Sequence, residues 1–374
     1  MSKCFAERCS SILLLPPSSR WCARPAALPT RRCQQQQQHA MVMRRRGFST
    51  ASTSRKDSRI HDIGRDISDD YAVIRDHYQT PRHPIVLAHG LLGFSKLSLY
   101  PSLPAIHYWH GIQEALTAQG ATVITATVPP SSSIADRAAR LSAEIAAQVA
   151  PVSSSSNSSS NSSSNSSSGT GGVNIVAHSM GGLDARHMIR HCPPPGVKIR
   201  SLVTVATPHR GSAFADYVLD QDEDSNNGDG RGPPVPLPRL YGVMGKLGLG
   251  TEAFAQLTRA HMVREFNPST PDDPAVRYFS YGARVDGPLP LLSPFRLPRR
   301  IVAAREGLND GLVSVESSRW GEYKGTLVGV SHLDLINWSN RLRWTVRGWM
   351  GMKRRFNAVA FYLDIADMLA KEGL

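Results

Sequence analysis

Residues 173–182 read VNIVAHSMGG, and this segment decides the fold that the sequence predicts. Its first half is a short apolar run, which is typical of a buried strand in a parallel sheet. The chain then turns at Ser179 and continues through Gly181 into residues 183–189, whose sequence predicts a helix. A serine on such a strand-to-helix turn has an exposed hydroxyl, with the helix N-terminus behind it and small residues such as Gly181 on either side. Ala177 occupies a position where glycine is commoner, and by itself the motif fits an ordinary serine in a glycine-rich turn equally well.

Strand and helix patterns alternate on both sides of this turn. The helix that follows the capping residue Ser133, for example, has apolar residues at helical spacing. Alternation of this kind implies the α/β class, with a mostly parallel, doubly wound sheet covered by helices on both faces. The predicted strands are residues 85–88, 121–128, 173–178, 200–206, 278–281, 301–304 and 326–330, and the predicted helices are residues 108–119, 134–149, 183–189, 252–266 and 356–369.

The 374 residues divide into a leader, a linker and one large domain. Residues 49–80 are polar and charged, which predicts a linker that passes into a short helix at residues 69–77. Residues 81–374 form the predicted domain. Within it, the serine-rich residues 153–172 predict a disordered insert. The excursion at residues 213–275 carries scattered apolar side chains and predicts a lid over the site.

Residues 1–48 have the composition of a mitochondrial transit peptide. They contain nine Lys or Arg and one acidic residue, so this segment alone accounts for +8 of the net charge of +13. Organellar transit peptides are rich in Arg and Ser and poor in acids, whereas a secretory signal needs an apolar core of about 7–15 residues. Arg46-Gly47-Phe48 resembles the cleavage context of mitochondrial presequences. The alternative is a basic disordered tail without a targeting role.

The rest of the composition excludes several classes of protein. Because most of the excess positive charge lies in the leader, nothing indicates a nucleic-acid groove. No apolar run reaches the roughly 18 residues that a membrane span needs. Cys192 is the one cysteine outside the leader, so cleavage near Phe48 would leave no partner for an internal disulfide, and an extracellular scaffold is disfavoured.

Asp310 and His332 follow Ser179 in the order that a hydrolase triad requires. A serine hydroxyl is a poor nucleophile unless a base lies within hydrogen-bond reach and a carboxylate orients that base. On a doubly wound sheet these groups come from loops at strand ends, in the order Ser, Asp, His. Asp310 follows the predicted strand at residues 301–304, and His332 follows the strand at residues 326–330. The competing acids are Asp184, Asp216 and Asp334, and the competing histidines are His89, His178 and His209.

The negative charge that forms on an attacked ester carbonyl needs preorganised N–H donors. Met180, directly after the nucleophile, is expected to supply one. The segment HGLLG at residues 89–93 follows the first strand of the domain, and the N–H of Leu91 is expected to supply the second. Alone, this segment would equally fit a simple glycine turn.

Together these residues resemble the triacylglycerol lipases of the Pseudomonas and Burkholderia type, and more closely the fungal mitochondrial lipases. The resemblance implies an α/β-hydrolase fold with a helical lid insertion, the triad Ser179, Asp310 and His332, and the oxyanion donors Leu91 and Met180. The matching segments are Pro84–Phe94, Tyr108–Thr125, Val173–Arg186, Leu202–Asp216, Asn309–Ser314 and His332–Asn337.

The resemblance also implies a structural calcium held by two aspartates, although the chemistry itself requires no cofactor. Asp334 matches one of these ligands and Asp286 is the candidate for the other, but its spacing from Asp310 differs. An ordinary loop carboxylate is the alternative for Asp334. The bacterial relatives have no counterpart of the leader or the serine-rich insert.

Three functions are compatible with these residues. The first is a mitochondrial serine esterase that acts on acylglycerols at a membrane or droplet surface. The second is a phospholipase or acyltransferase with the same triad, and the third is a catalytically silent lipid-binding protein. The basic, aromatic-containing residues 341–355, followed by an amphipathic helix at residues 356–369, suit an anionic membrane surface. We expect the alternative, in which this helix completes the core while the charges are solvated. Protein partners are not indicated.

Overall fold

The computed structural model describes residues 65–91, 108–154, 172–219, 251–287, 295–337 and 356–374. All of these residues belong to one compact unit, Lys56–Leu374. The predicted leader, most of the predicted serine-rich insert and residues 220–250 of the predicted lid lie outside the described residues. Among the described helices, none combines the length and the apolar character that a membrane crossing requires.

Within the described residues, seven strands form one sheet, and neighbouring strands pair in parallel throughout. The strand order is β1-β7-β6-β5-β4-β2-β3, so β4, which leads into Ser179, has neighbours on both sides. The predicted α/β class with a parallel sheet is therefore confirmed. The strands are β1 (Asp66–Ile67), β2 (Ile85–Ala88), β3 (Val123–Ala126), β4 (Gly172–His178), β5 (Lys198–Val205), β6 (Arg277–Arg284) and β7 (Glu322–Val328).

From β2 onward, each connection between consecutive strands contains at least one helix. The insertion after β5 contains a helical stretch, called α6 here, that runs without a break through Arg259–His261, the π-helical Met262–Phe266 and Asn267–Ser269. The other helices are α1 (Ile112–Ala118), α2 (Ile134–Ser154), α3 (Gly181–His191), α4 (Ala213–Val218), α5 (Thr251–Gln256), α7 (Arg296–Glu306), α8 (Val315–Ser318) and α9 (Ala358–Lys371).

Alternate strand residues pack into two separate cores. In β2, Ile85 and Leu87 belong to the core that contains α1 and α9, whereas Val86 and Ala88 belong to the core that contains α2 and α3. This alternation follows from the two-residue period of a strand. The expectation that the C-terminal helix completes the core is confirmed, because most of α9 is buried against the sheet.

A third apolar cluster joins the turn after β4 to the predicted lid. Met180 and Leu183 lie in it together with side chains of α4, α5 and α6 and of the break between α5 and α6, namely Val218, Phe254, Leu257, Met262 and Phe266. The described parts of the predicted lid therefore pack directly against the helix that follows Ser179. The single helix predicted for residues 252–266 is interrupted at Leu257 and Thr258.

The strand predicted at residues 301–304 is wrong, because these residues lie inside α7. A run of four apolar residues does not distinguish a strand from one turn of helix. Of these four, only Val302 is buried, and the exposed flanking residues Arg300 and Arg305 show that this is a helix with one face toward the core.

The predicted linker also differs from the structure at its C-terminal end. Residues 69–77 contain turns instead of the predicted helix, and β1 pairs with β7 before them. Ile67 and Tyr71 are buried in the core on the α9 side of the sheet. Residues 65–80 therefore belong to the folded unit.

Candidate active site

Ser179 lies in the sharp turn between β4 and α3, as the sequence predicts. Its φ of +56° falls in the left-handed region, which costs on the order of 1–3 kcal/mol for a residue other than glycine. Two hydrogen bonds hold this conformation. In the first, the Ser179 N–H donates to the Val205 carbonyl at 2.9 Å. The Thr207 hydroxyl donates to the Ser179 carbonyl at 2.7 Å. The strain is therefore balanced by bonds to the neighbouring strand and the loop after it.

The small residues around Ser179 are required by close backbone contacts. A Cβ on Gly181 would lie 2.7 Å from the Ala88 carbonyl oxygen, and one on Gly182 would lie 2.3 Å from the Thr207 hydroxyl. Real Cβ atoms do not approach other atoms so closely. These contacts explain why Gly181 and Gly182 follow the serine. Ala177, two residues before the serine, is fully buried.

Asp310 and His332 are brought together as an acid and base pair. His332 Nδ1 lies 2.7 Å from Asp310 Oδ2, and both side chains are buried. The other oxygen of Asp310 accepts the N–H groups of Leu312 and Val313, each at 2.9 Å. Because the carboxylate is held on both oxygens, it keeps the proton of His332 on Nδ1 and leaves Nε2 as the basic nitrogen.

Asp310 follows a different element from the one that the sequence predicts. Asp310 follows helix α7, not a strand, and its loop returns to the end of β6, where the Val285 N–H donates to the Asn309 carbonyl at 2.9 Å. Asn309 also bridges to Ser314 and closes the loop. The predicted location at a strand end is therefore correct, but the strand is β6.

The base lies against the residue that precedes the nucleophile. The rings of His178 and His332 are 4.5 Å apart between centroids. Burial and the nearby His332 lower the pKa of His178 well below its ordinary value, so His178 is neutral at physiological pH. His332 is thus positioned at the Ser179 turn beside an uncharged neighbour.

The loop that carries Leu91 passes close to Ser179 and is held by His89. A Cβ on Gly90 would lie 2.7 Å from the Ser179 Cβ. The Val128 N–H donates to His89 Nε2 at 3.2 Å, so the proton of the neutral ring is on Nδ1, which lies 3.0 Å from the Gly90 carbonyl. Since a trans peptide directs its N–H opposite to its carbonyl, this bond orients the N–H of Leu91.

A buried arginine, which the sequence pattern does not single out, connects the loop of His89 to two other parts of the fold. Arg137 is fully buried, pairs with Asp184 at 2.7 Å and donates to the His89 carbonyl at 2.9 Å. It also donates to the Pro129 carbonyl at 2.6 Å. Arg137 appears in the sequence as one basic residue of an amphipathic helix, so no local signal distinguishes it from a solvated one.

The competing acids and histidines have other partners. Asp184 pairs with Arg137, and Asp216 pairs with Arg259. His209 is buried, with its Nε2 3.0 Å from the Thr204 hydroxyl and its ring stacked on Trp320. These contacts leave Asp310 and His332 as the pair beside the turn.

In the described part of the chain, the two aspartates considered for calcium are held by protein partners. Asp286 pairs with Arg284 at 3.2 Å, and Asp334 Oδ2 accepts from the N–H and the hydroxyl of Ser331 at 3.0 and 2.6 Å. Calcium takes 6–8 oxygen ligands, usually with several carboxylates. The described part of the chain contains no group of three or more His, Cys, Asp or Glu placed to hold a metal.

Comparison with known proteins agrees with this geometry. The chain is 36% identical to triacylglycerol lipase 2 of Saccharomyces cerevisiae, over 82% of this chain and 97% of the yeast protein. It is 27% identical to the triacylglycerol lipase of Pseudomonas fragi, over 78% of this chain and 98% of the bacterial one.

Two further similarities concern the fold of the whole domain and the sequence of residues 84–232. The crystal structure of the Staphylococcus hyicus lipase superimposes with a TM-score of 0.50 at 18% identity, covering 80% of this chain and 98% of that one. This likeness supports the predicted α/β-hydrolase fold. Residues 84–232 match the palmitoyl protein thioesterase family.

Proposed function

Because this chain belongs to the triacylglycerol lipase family, we propose that it hydrolyses the carboxylic ester bonds of acylglycerols through an acyl-enzyme on Ser179. The observation that carries the proposal is the Asp310–His332 pair, joined at 2.7 Å, beside the strained turn of Ser179. The chemistry requires no cofactor, because nucleophile, base and charge stabilisation all come from the protein.

The residues divide the reaction into two half-reactions. His332 Nε2 accepts the Ser179 proton as the serine oxygen attacks the ester carbonyl, and Asp310 stabilises the imidazolium. The N–H groups of Met180 and Leu91 stabilise the carbonyl oxygen as it becomes negative, and each such donor contributes roughly 10²–10³ in rate. His332 then gives the proton to the leaving alcohol, and water releases the fatty acid by the same steps.

Covalent labelling tests the nucleophile directly. A fluorophosphonate should label the wild-type protein, and Ser179→Ala should not be labelled. Ser142→Ala, which changes a buried serine of α2, is the matched control and should label like the wild type. Labelling of Ser179→Ala, or no labelling of the wild type, would contradict the mechanism.

The choice of acyl substrate requires a separate experiment. A phospholipase or an acyltransferase would use the same three residues, and the thioesterase match covers residues 84–232, which include Ser179 but neither Asp310 nor His332. The match to the yeast lipase covers most of the chain and therefore favours acylglycerols. Hydrolysis rates for tri- and diacylglycerols, phosphoglycerides and acyl thioesters of graded chain length would rank these substrates.

Action at a lipid surface is part of the proposal. The apolar cluster of Met180 and Leu183 with α4, α5 and α6 supports an insertion that covers the site and moves when apolar lipid replaces its contacts. Activity toward a short-chain triacylglycerol should rise sharply once the substrate exceeds its solubility. A smooth saturation curve through that concentration would argue against a lid.

We also propose that the protein is delivered to mitochondria. The supporting observation is the arginine- and serine-rich, acid-poor composition of residues 1–48. Incubation with isolated mitochondria should give a protease-protected product shortened near Phe48. Failure to import would remove the localisation and leave the esterase chemistry untouched.

A further inference from the structure

Tyr108 lies where three parts of the active site meet. It belongs to the turn before α1, and its ring lies 5.5 Å from the ring of His89 and 5.9 Å from that of His178. Its hydroxyl accepts the Gly90 N–H at 3.1 Å and lies 2.7 Å from His178 Nδ1. A single oxygen atom thus connects the oxyanion loop to the residue that precedes the nucleophile.

The direction of these hydrogen bonds follows from the chemistry of the groups. A backbone N–H can only donate, so the Tyr108 oxygen accepts from Gly90 and must direct its own proton elsewhere. Burial raises the pKa of Tyr108, so the phenol keeps that proton, and burial lowers the pKa of His178, so its ring is neutral. The proton therefore points at His178 Nδ1, and the proton of His178 is on Nε2.

This bond completes the fixation of Gly90. The Gly90 N–H is held by Tyr108, and the Gly90 carbonyl is held by His89 at 3.0 Å. Glycine has the widest conformational freedom of any residue. Hydrogen bonds to both its N–H and its carbonyl therefore restrict the backbone of Gly90 to one conformation. The peptide that follows carries the Leu91 N–H, whose direction depends on that anchoring.

We propose that Tyr108 is a positioning residue of the ester hydrolysis, which orients the Leu91 donor through Gly90 and aligns the His178 ring on which His332 packs. The inference rests on the proposed function, since it assigns Tyr108 a role in that reaction. Tyr108 acts through these neighbours and need not touch the substrate.

The test compares two tyrosines that each lose one hydroxyl. Tyr108→Phe removes the bonds to Gly90 and His178. Tyr362→Phe is the matched control, because Tyr362 is buried and its hydroxyl has no hydrogen-bond partner among the described residues. Each variant is assayed for kcat and KM on a soluble p-nitrophenyl ester, for its thermal unfolding midpoint, and for inhibition by phenylboronic acid.

Phenylboronic acid reports on the oxyanion site without turnover. Its boron forms a bond to the Ser179 oxygen, the serine proton passes to His332, and the tetrahedral adduct carries one negative charge. A misplaced Leu91 donor should therefore weaken inhibition by the same factor as it lowers kcat. We expect Tyr108→Phe to lower kcat about 10- to 100-fold, less than the 10²–10³ for a donor lost outright, and to raise the inhibition constant similarly.

The outcomes separate this inference from the proposed function. KM of Tyr108→Phe should stay close to that of the wild type, and its unfolding midpoint should fall by no more than a few degrees, because the Gly90 N–H loses its acceptor. Tyr362→Phe should match the wild type in every measurement. An unchanged kcat, a change in KM alone, or a lower midpoint without weaker boronate inhibition would overturn the role of Tyr108 while the enzyme remains an esterase. A wild-type protein without esterase activity would overturn both proposals.

Discussion

Two groups of the proposed mechanism, the Asp310 carboxylate and the Ser179 backbone, are each fixed by at least two hydrogen bonds. The Asp310 carboxylate has partners on both oxygens, and the Ser179 backbone is bonded through both its N–H and its carbonyl. Fixation of this kind places charges where they develop in the transition state, so no reorganisation is needed during the reaction. Substitutions that shift these atoms by less than 1 Å should therefore affect rate more than stability.

Gly90 provides a test of this argument. Alanine there would place a Cβ 2.7 Å from the Ser179 Cβ and 3.0 Å from the His178 carbonyl oxygen, so the loop must move away from the serine. We expect Gly90→Ala to lower kcat by about 100-fold or more, since a displacement near 1 Å has that effect on a positioned group. Gly196→Ala is the control: its added Cβ meets no atom within 4 Å, and only its positive φ is strained. Equal activity of the two variants would show that the loop tolerates displacement.

His89 should make the fold sensitive to mild acid. Burial lowers its pKa to about 4, below the ordinary 6.5, so the unfolded chain binds a proton more readily than the folded one. The stability that His89 contributes is present above pH 6.5 and is lost as the pH falls toward 4. By pH 5 the loss should be roughly 2 kcal/mol.

Urea unfolding at pH 7 and pH 5 measures this effect. The fall in free energy of unfolding should be smaller in His89→Gln than in the wild type. His110→Gln, in an exposed turn, should behave like the wild type. An identical pH dependence in all three proteins would mean that His89 does not titrate between these limits.

At the scale of elements, α7 joins the start of the predicted lid to the loop of Asp310, the proposed catalytic acid. The Glu306 carboxylate, at the end of α7, accepts the N–H of Ala213, the first residue of α4, and the hydroxyl of Ser314 in the acid loop. Ser212 donates in turn to the Leu312 carbonyl at 2.8 Å. Glu306 and Ser212 therefore connect the start of the insertion to the segment that holds Asp310, and a displacement of Ala213 would be transmitted to that segment.

Removal of Glu306 should affect both stability and rate. Glu306→Ala leaves the Ala213 N–H and the Ser314 hydroxyl without their partner, which should cost about 1–3 kcal/mol in free energy of unfolding. Loosening of the acid loop should also lower kcat several-fold. Glu306→Gln keeps an acceptor oxygen and should be milder, and Arg300→Ala, on the exposed side of α7, should stay within about 0.5 kcal/mol of the wild type. Equal stability of all three variants would exclude the coupling.

The elements that the sequence predicted well are those with strong local patterns. The strand before Ser179, the two glycines after it and the capped helix at Ser133 follow from apolar period and backbone geometry, and the structure contains all three. The proposed triad could be selected from the sequence because chain order restricts the choice, and the structure places Asp310 and His332 in contact. The helix at residues 301–304, the tie from Arg137 to His89 and the role of Glu306 depend on contacts between residues far apart in the chain, which local patterns do not encode.

At the scale of the whole molecule, residues 65–80 close one face of the fold. β1 adds the edge strand beside β7, and the Tyr71 ring packs edge-on against Phe361 of α9 at 5.2 Å. The Tyr71 carbonyl accepts the Asn357 N–H at 2.8 Å. The Gln79 N–H donates to Asp367 at 2.8 Å. The polar composition of this segment predicts part of a linker, yet Ile67 and Tyr71 are buried in the core, whereas Val73 and Ile74 are exposed.

Two truncations should therefore behave differently. A chain that begins at Arg65 keeps the contacts described for this segment and should unfold within a few degrees of the full-length protein. A chain that begins at Pro81 loses the burial of Ile67 and Tyr71. Burial of a large apolar side chain contributes roughly 1.5–3 kcal/mol. The loss is therefore a large part of the roughly 5–15 kcal/mol that typically separates folded from unfolded states. We expect the shorter chain to unfold at a much lower temperature or to remain insoluble. Tyr71→Ala in the full-length chain should reproduce part of that loss, and thermal unfolding followed by circular dichroism measures all three. If the chain that begins at Pro81 were as stable as the one that begins at Arg65, residues 65–80 would be a linker after all, and the folded unit would begin where the composition alone suggests.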